Sequence, residues 1–255
     1  MDVLVCVKRV PATGSEVPLT EDGREVDTRH LGFTIGPHEE CAVEEAVRLV
    51  ERHGGSVTVL TVGPPESAEQ LRYALSLGAD HAVLVETTDP DPDPQATATA
   101  ITEAVATLST PDLVIFGNES ADAGNYQVAI RVAHALSLPI VSAVKAITID
   151  PATNQARFQR DSPAGNETYE VDLPSAVAVK EGLNLPRYPS IKGRLRAKKT
   201  PIRTVNPELA PGGLRTLRFH SPPEATRETV ILGRGPEAAP HVADLLTDLG
   251  LTILT

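Results

Sequence analysis

Short apolar runs rich in β-branched residues recur along the first 150 residues, at Val3 to Val7, Val57 to Val62, Ala82 to Val85, Leu113 to Phe116 and Ile140 to Val144. Runs of this length read as strands, and runs with little polar alternation read as strands covered on both faces. Between them, apolar residues fall at helical spacing over Glu39 to His53, Ser67 to Leu77, Ala96 to Leu108 and Tyr126 to Leu136. In the first of these, Ala42, Ala46 and Leu49 share a face beside Val43, Val47 and Val50, and Gly54 and Gly55 stop the helix. The alternation predicts an α/β fold, a mostly parallel twisted sheet with helices on both faces. A sheet of that kind holds its ligand outside the carboxyl ends of its strands.

Past Ile149 the pattern changes. Arg157 to Arg160, Thr168 to Val171 and Ser175 to Val179 predict a small antiparallel addition, with Ala164, Gly165 and Asn166 as a turn. Pro186, Arg187, Tyr188 and Pro189 follow, and then a basic cluster. The two prolines fix φ and remove two backbone donors. That stiffness suits a projecting docking loop near 183–197, and it suits equally a surface turn before a solvated basic run. From Thr200 to Ala225 the chain is rich in Pro and Gly with little periodicity, which predicts an extended C-terminal arm laid over another surface. Pro236 to Leu249 reads as an amphipathic helix. The expected organisation is an α/β domain over 1–199, with an arm and helix over 200–255 that pack on a partner subunit.

The chain has 255 residues, 41% of them hydrophobic, enough for a substantial core. It contains no apolar run of about 18 residues, so no membrane insertion is expected. The strand-like start at Asp2 leaves no room for a signal peptide, and Cys6 in an apolar strand and Cys41 in a predicted helix read as reduced core thiols. Together these point to a cytoplasmic protein. A net charge of −11 argues against a nucleic-acid partner. Charge is uneven, however: Arg187 to Arg203 is basic, whereas Asp80 to Asp93 is acidic, Pro-rich and expected as a solvated loop. The seven histidines are scattered without metal-ligand spacing or a nucleophile partner, so no catalytic and no metal site is assigned.

Three strand-to-helix junctions are candidates for a nucleotide: Cys6 to Lys8 with the long loop to Gly36 and Pro37, Val62 to Pro64, and Gly117 to Gln127, which reads GNESADAGNYQ. Small residues in the third let backbone amides approach an anion, and a helix beginning near Gly124 or Asn125 would point its positive end there. No Walker motif or dinucleotide fingerprint is present. Taken alone, the third junction is equally a polar loop of a parallel sheet.

Several segments in order resemble the beta subunit of the electron-transfer flavoproteins: LVCVKRVP at 4–11, GPHEECAVEEAVRL at 36–49, LRYALSLGADHAVLV at 71–85, DLVIFGNESADAGNYQ at 112–127, then NETYEVDLPSAVAVKEGLNLPRY and RAKKTPI. The resemblance implies a Rossmann-like, adenine-nucleotide-binding fold and an electron carrier subunit without its own catalytic turnover. It implies a heterodimer with an alpha subunit that holds most of an FAD, and a buried AMP in this chain. It further implies electrons drawn from acyl-CoA dehydrogenases or similar flavoenzymes, as in fatty acid beta-oxidation, and passed to a membrane quinone oxidoreductase.

Carried over by position, AMP would contact Cys6, Gly36, Pro37, His38, Glu39, Val62, Asn118, Ser120, Ala121, Asp122, Ala123, Gly124, Asn125, Tyr126, Gln127 and Val128. Gly36 stands where the family often has asparagine, and Gly124, Asn125 and Tyr126 replace a more acidic or Thr-containing stretch. Gln127 and Val128 are similar to the bifurcating branch, whose beta subunit holds a second FAD. A stand-alone nucleotide-binding α/β domain is the remaining alternative. Glu167, in the loop before the Ser175 strand, matches an acidic residue that holds the partner's flavin domain through ion pairing; read alone, it is an exposed turn glutamate. Ile191 matches an apolar docking anchor beside Tyr188; read alone, it is a turn residue folded onto the chain's own core.

Overall fold

The computed structural model describes residues 1–14, 17–89, 92–207, 212–221 and 229–251. The apolar runs become β1 (Asp2–Cys6), β4 (Ser56–Gly63), β5 (His81–Glu86), β6 (Leu113–Gly117) and β7 (Ile140–Asp150). A separate antiparallel ribbon pairs β2 (Val10–Pro11) with β3 (Phe33–Thr34). The helical stretches become α1 (Pro37–His53), α2 (Ala68–Leu77), α3 (Pro94–Val105) and α4 (Val128–Ala135). Later come β8 (Gln155–Ser162), β9 (Gly165–Asp172), β10 (Ser175–Val179), α5 (Ile191–Lys199), β11 (Ile202–Val205) and α6 (Ala239–Asp248).

Among the described residues nine strands form one sheet in the order β11-β5-β4-β1-β6-β10-β7-β8-β9. All pairings from β11 to β7 are parallel, and β8 and β9 complete an antiparallel meander. Successive side chains of a strand face opposite ways, so the central strands feed two cores. Val3, Val5, Val57, Val59, Leu113 and Ile115 pack with α1 and α2. Leu4, Cys6, Leu60, Val114 and Phe116 pack with α3 and α4.

Several sequence expectations need correction. Ser175–Val179 is not part of the antiparallel addition: all five residues are buried, and the strand runs parallel between β6 and β7. The hairpin turn is Pro163–Ala164, because Ser162 and Gly165 already pair across it. Helix α4 starts at Val128, later than expected, since Tyr126 adopts a left-handed φ of 57° that interrupts a helix. The acidic stretch is not simply a solvated loop: Asp80 accepts the Val57 amide at 2.9 Å, and Asp93 caps α3 by accepting the Ala96 amide at 2.8 Å.

Residues 183–197 are only partly loop, because Ser190 caps α5 through the Gly193 amide at 3.0 Å. Gly193 allows α5 to lie directly on α2, where a Cβ would collide with the Ser76 carbonyl oxygen. Two arginines then exchange caps. Arg196 donates to the Leu75 and Ala79 carbonyls at the end of α2, and Arg72 donates to the Ala197 and Thr200 carbonyls at the end of α5.

The arm expected from Thr200 begins as an edge strand, β11, beside β5. Residues 208–211 and 222–225 of that arm lie outside the described residues. Contacts divide the chain into units Met1–Arg218 and Phe219–Thr255. In the small unit Val242 and Leu245 of α6, and Leu249 after it, are exposed, and His241 Nδ1 lies 2.9 Å from the Leu232 carbonyl oxygen. Among the described residues no helix is long and apolar enough to cross a membrane.

Candidate functional site

The order of the sheet reverses at β1, whose neighbours are β4 on one side and β6 on the other. Crevices at such reversals, outside the carboxyl ends of the strands, are where open α/β sheets bind ligands. Cys6 ends β1 and Gly117 ends β6. The Cys6 thiol is buried, and burial pushes its pKa up, away from a reactive thiolate.

Helix α1 presents its amino end at this edge. Gly36 is its N-cap and Pro37 its first residue, a position where the missing proline amide costs nothing. Pro37, His38 and the segment Glu119–Gly124 line a cleft of about 350 Å3. The loop is folded tightly on itself. The Gly124 amide donates to the Ser120 carbonyl at 3.1 Å, the Ala123 amide donates to Asp122 Oδ1 at 2.7 Å, and Gly124 sits at φ 54°, where a side chain would be strained.

Lys8 supplies positive charge, with Nζ 2.7 Å from Asp122 Oδ2. Burial acts to raise the Asp122 carboxyl, but attraction to Lys8 and hydrogen bonds outweigh it and hold the group below its usual range. Glu39 is the opposite case. It is 4% exposed, among the described residues its Oε2 has no hydrogen-bond partner, and burial pushes its carboxyl up to about 7 against the pull of its own backbone amide, with the nearby Asp122 charge adding to the rise. Two glycines make room for it: a Cβ on Gly36 would collide with Oε2, and one on Gly117 would stand 3.2 Å away. The buried His38 Nδ1 is also without a partner.

The structure therefore brings Pro37, His38, Ser120, Ala121, Asp122, Ala123 and Gly124 around one cleft, with Gly36 and Glu39 directly behind. Cys6, Val62, Asn118 and Asn125 to Val128 are not on its walls. Asn118 instead ties β7 to the end of the sheet, its amide donating to the Val179 carbonyl and its Oδ1 accepting the Ala143 amide, each at 2.8 Å. Gln127 precedes α4 and accepts from Arg131. A larger hollow of about 700 Å3, lined in part by Asp2, Ser56, Asp80 and Arg203, lies at the amino ends of the strands and holds none of the candidate residues. Chemistry and topology both favour the smaller cleft.

The docking candidates lie elsewhere. Tyr188 is 95% exposed, and Ile191, the first residue of α5, is 80% exposed, so Ile191 is not folded onto the chain's own core. The segment between Asn184 and Ser190 is held by a fork that sequence reasoning missed. Arg187 donates through Nε and Nη2 to Glu44 at 2.8 and 3.2 Å, and through Nη1 and Nη2 to Glu51 at 2.6 and 3.0 Å. Its own amide also reaches Glu44, at 3.1 Å. Glu167 lies in β9 and not in a loop, with Oε2 2.7 Å from both Arg160 Nε and the Tyr169 hydroxyl. These donors, Tyr169 first, hold its carboxyl below the usual range.

A family model described as "Electron transfer flavoprotein domain" matches residues 25–210. The chain is 32% identical to the electron transfer flavoprotein subunit beta of Bacillus subtilis over 261 residues, covering 96% of this chain and 97% of the relative. It is 35% identical to the subunit beta of Syntrophomonas wolfei over 224 residues, with 88% and 86% covered. It is 36% identical to the mitochondrial subunit beta of Oryza sativa subsp. indica over 211 residues, with 82% and 83% covered.

Proposed function

The chain belongs to the electron transfer flavoprotein family, on the beta-subunit side, and from that membership we propose that it is the beta half of a heterodimeric electron carrier. Its partner is an alpha subunit that holds most of an FAD. Electrons arrive from acyl-CoA dehydrogenases or similar flavoenzymes and leave for a membrane quinone oxidoreductase, serving fatty acid beta-oxidation in the cytoplasm. The flavin, when bound, supplies the redox chemistry. This chain completes the carrier without turnover of its own: it binds AMP in the cleft and presents Tyr188 and Ile191 to the donor.

The observation that carries the AMP assignment is the meeting of His38 with the Ser120–Gly124 loop in one cleft at the sheet's reversal point. The start of α1 and Lys8 are groups suited to a phosphate. A volume of about 350 Å3 stands at the small end of the usual range for ligand pockets, about 300–1,000 Å3. That size favours a nucleoside monophosphate over a second FAD.

Native mass spectrometry of the complex purified with its partner subunit, followed by nucleotide extraction, tests this. One FAD and one AMP per heterodimer are expected. Two FADs would replace the reading with the bifurcating one, no adenine nucleotide beyond a single FAD would remove the AMP site, and a stable chain complete without a partner would remove the heterodimer.

A further inference from the structure

Glu39 is a carboxyl whose charge is supported by its own backbone amide and by Lys8, yet burial outweighs both. It stands in the first turn of α1, closed off behind the backbones of Gly36 and Gly117, with an oxygen that receives no donor. The groups around it come from three elements. His38 and Glu40 lie beside it on α1, Lys8 follows β1, and Glu119 and Asp122 belong to the loop after β6. The nearby ammonium is Lys8, and it is already engaged with Asp122. Ala121, on the cleft wall, and Glu39 Oε2 flank the same point, the missing Cβ of Gly36. An anion entering the cleft therefore comes close to a buried acid through a thin, poorly screening layer of protein.

Resting on the AMP reading above, we propose that a nucleotide phosphate binds in this cleft together with a proton, which is taken up by Glu39. A phosphate monoester brings a charge of about −1.5 to −2 to a site already carrying Glu119 and Asp122. Neutralising Glu39 removes one of the repulsions it meets. The group is poised for this, because burial lifts its carboxyl to about 7. The sign follows by linkage. Below about pH 6 Glu39 is protonated before the nucleotide arrives and no proton is taken up. As pH rises above 7 the free carboxyl is ionised, binding must protonate it, and affinity falls. The second phosphate ionisation, near 6, is complete in that window and contributes little. Glu39 is a positioning residue here, since it acts on the bound anion across the backbone of Gly36.

The test is calorimetric titration of AMP into the full-length chain in complex with its partner subunit, after dialysis to remove resident nucleotide, at pH 6 to 8.5 in buffers of differing ionisation enthalpy. The parent should take up a fraction of a proton approaching one per AMP above pH 7, and its affinity should weaken by up to about tenfold per pH unit there. Glu39→Gln keeps the shape and removes the titration, so its affinity should be nearly flat over the same range. Parent binding that is independent of pH, or uptake undiminished in Glu39→Gln and hence belonging to another group, overturns the proposal while leaving the AMP site standing. Failure of both proteins to bind AMP at every pH overturns the AMP reading and this inference with it.

Discussion

Replacing Arg187 with alanine should destabilise the protein far more than its position in a surface segment suggests. Its main partner, Glu44, has a side chain only 2% exposed, in the middle of α1. Removing one member of a buried pair costs about 3–5 kcal/mol, because the remaining charge is left in a poor solvent. Two features lower that figure here. Arg187 is itself a third exposed, and Glu44 keeps Arg48 Nε at 2.5 Å and the residue-187 amide. A loss of about 2–3 kcal/mol is the working value, which for a chain of this size lowers Tm by about 4–12 °C. Glu51→Ala removes the exposed half of the fork and should cost only about 0.2–1 kcal/mol.

The pH dependence gives a second check. Burial acts to raise the Glu44 carboxyl, but hydrogen bonds from Arg187 and Arg48 outweigh it and hold the group below its usual value. A depressed carboxyl contributes stability above its unfolded pKa, about 4.3, and loses it as pH falls through the folded value. The gap between parent and Arg187→Ala should thus hold its size down to about pH 4.3 and narrow only on further acidification. Adding Glu44→Gln to Arg187→Ala should recover part of the loss by removing the stranded charge. Thermal melts followed by circular dichroism read all of these. If Arg187→Ala melts within a degree of Glu51→Ala at pH 7, Glu44 does not depend on Arg187 and the reasoning fails.

Gly193→Val should push α5 off α2, since the new Cβ meets the Ser76 carbonyl oxygen and cannot be absorbed by a flexible side chain; faster amide exchange confined to α5 and the end of α2 is the expected signature. Ile191→Ala should leave Tm unchanged because the side chain is exposed, yet raise the apparent KM for the electron donor by the roughly 2 kcal/mol typical of a lost anchor, and an unaltered rate at subsaturating carrier would remove Ile191 from docking.

The parallel half of the fold was legible because its strands are continuous apolar runs and its helices carry clear periodicity. Ser175–Val179 carries the same signal, five small or apolar residues all destined for burial, but it follows a hairpin in sequence and looks like a continuation of it. Only long-range pairing decides that it returns to the centre of the sheet. Helix α5 was hidden by charge, since Lys192, Arg194, Arg196, Lys198 and Lys199 read as a solvated run. The Ser190 cap and the good helix formers after it were the missed cue. In the site, the loop over Ser120–Gly124 and the start of α1 were found from small residues and order along the chain. The distinct fates of Glu39, Glu40, Glu44 and Glu45 were not, because burial and an arginine 143 residues away separate them, and neither is local information.

Strand β10 also sets a limit on how the protein can be divided. Among the described residues β6 and β7 do not pair with each other; each is hydrogen-bonded to β10, which comes later in the chain than both. A fragment ending before Ser175 would hold every residue that lines the cleft, yet Leu113–Phe116 would become an exposed apolar edge, a template for unwanted pairing with other chains. On the ribosome the same edge stays unguarded until residue 179 has emerged. Excision of the cleft as a minimal binding module is therefore not open to this architecture, and any permuted or split version must keep β10 covalently or physically with β6.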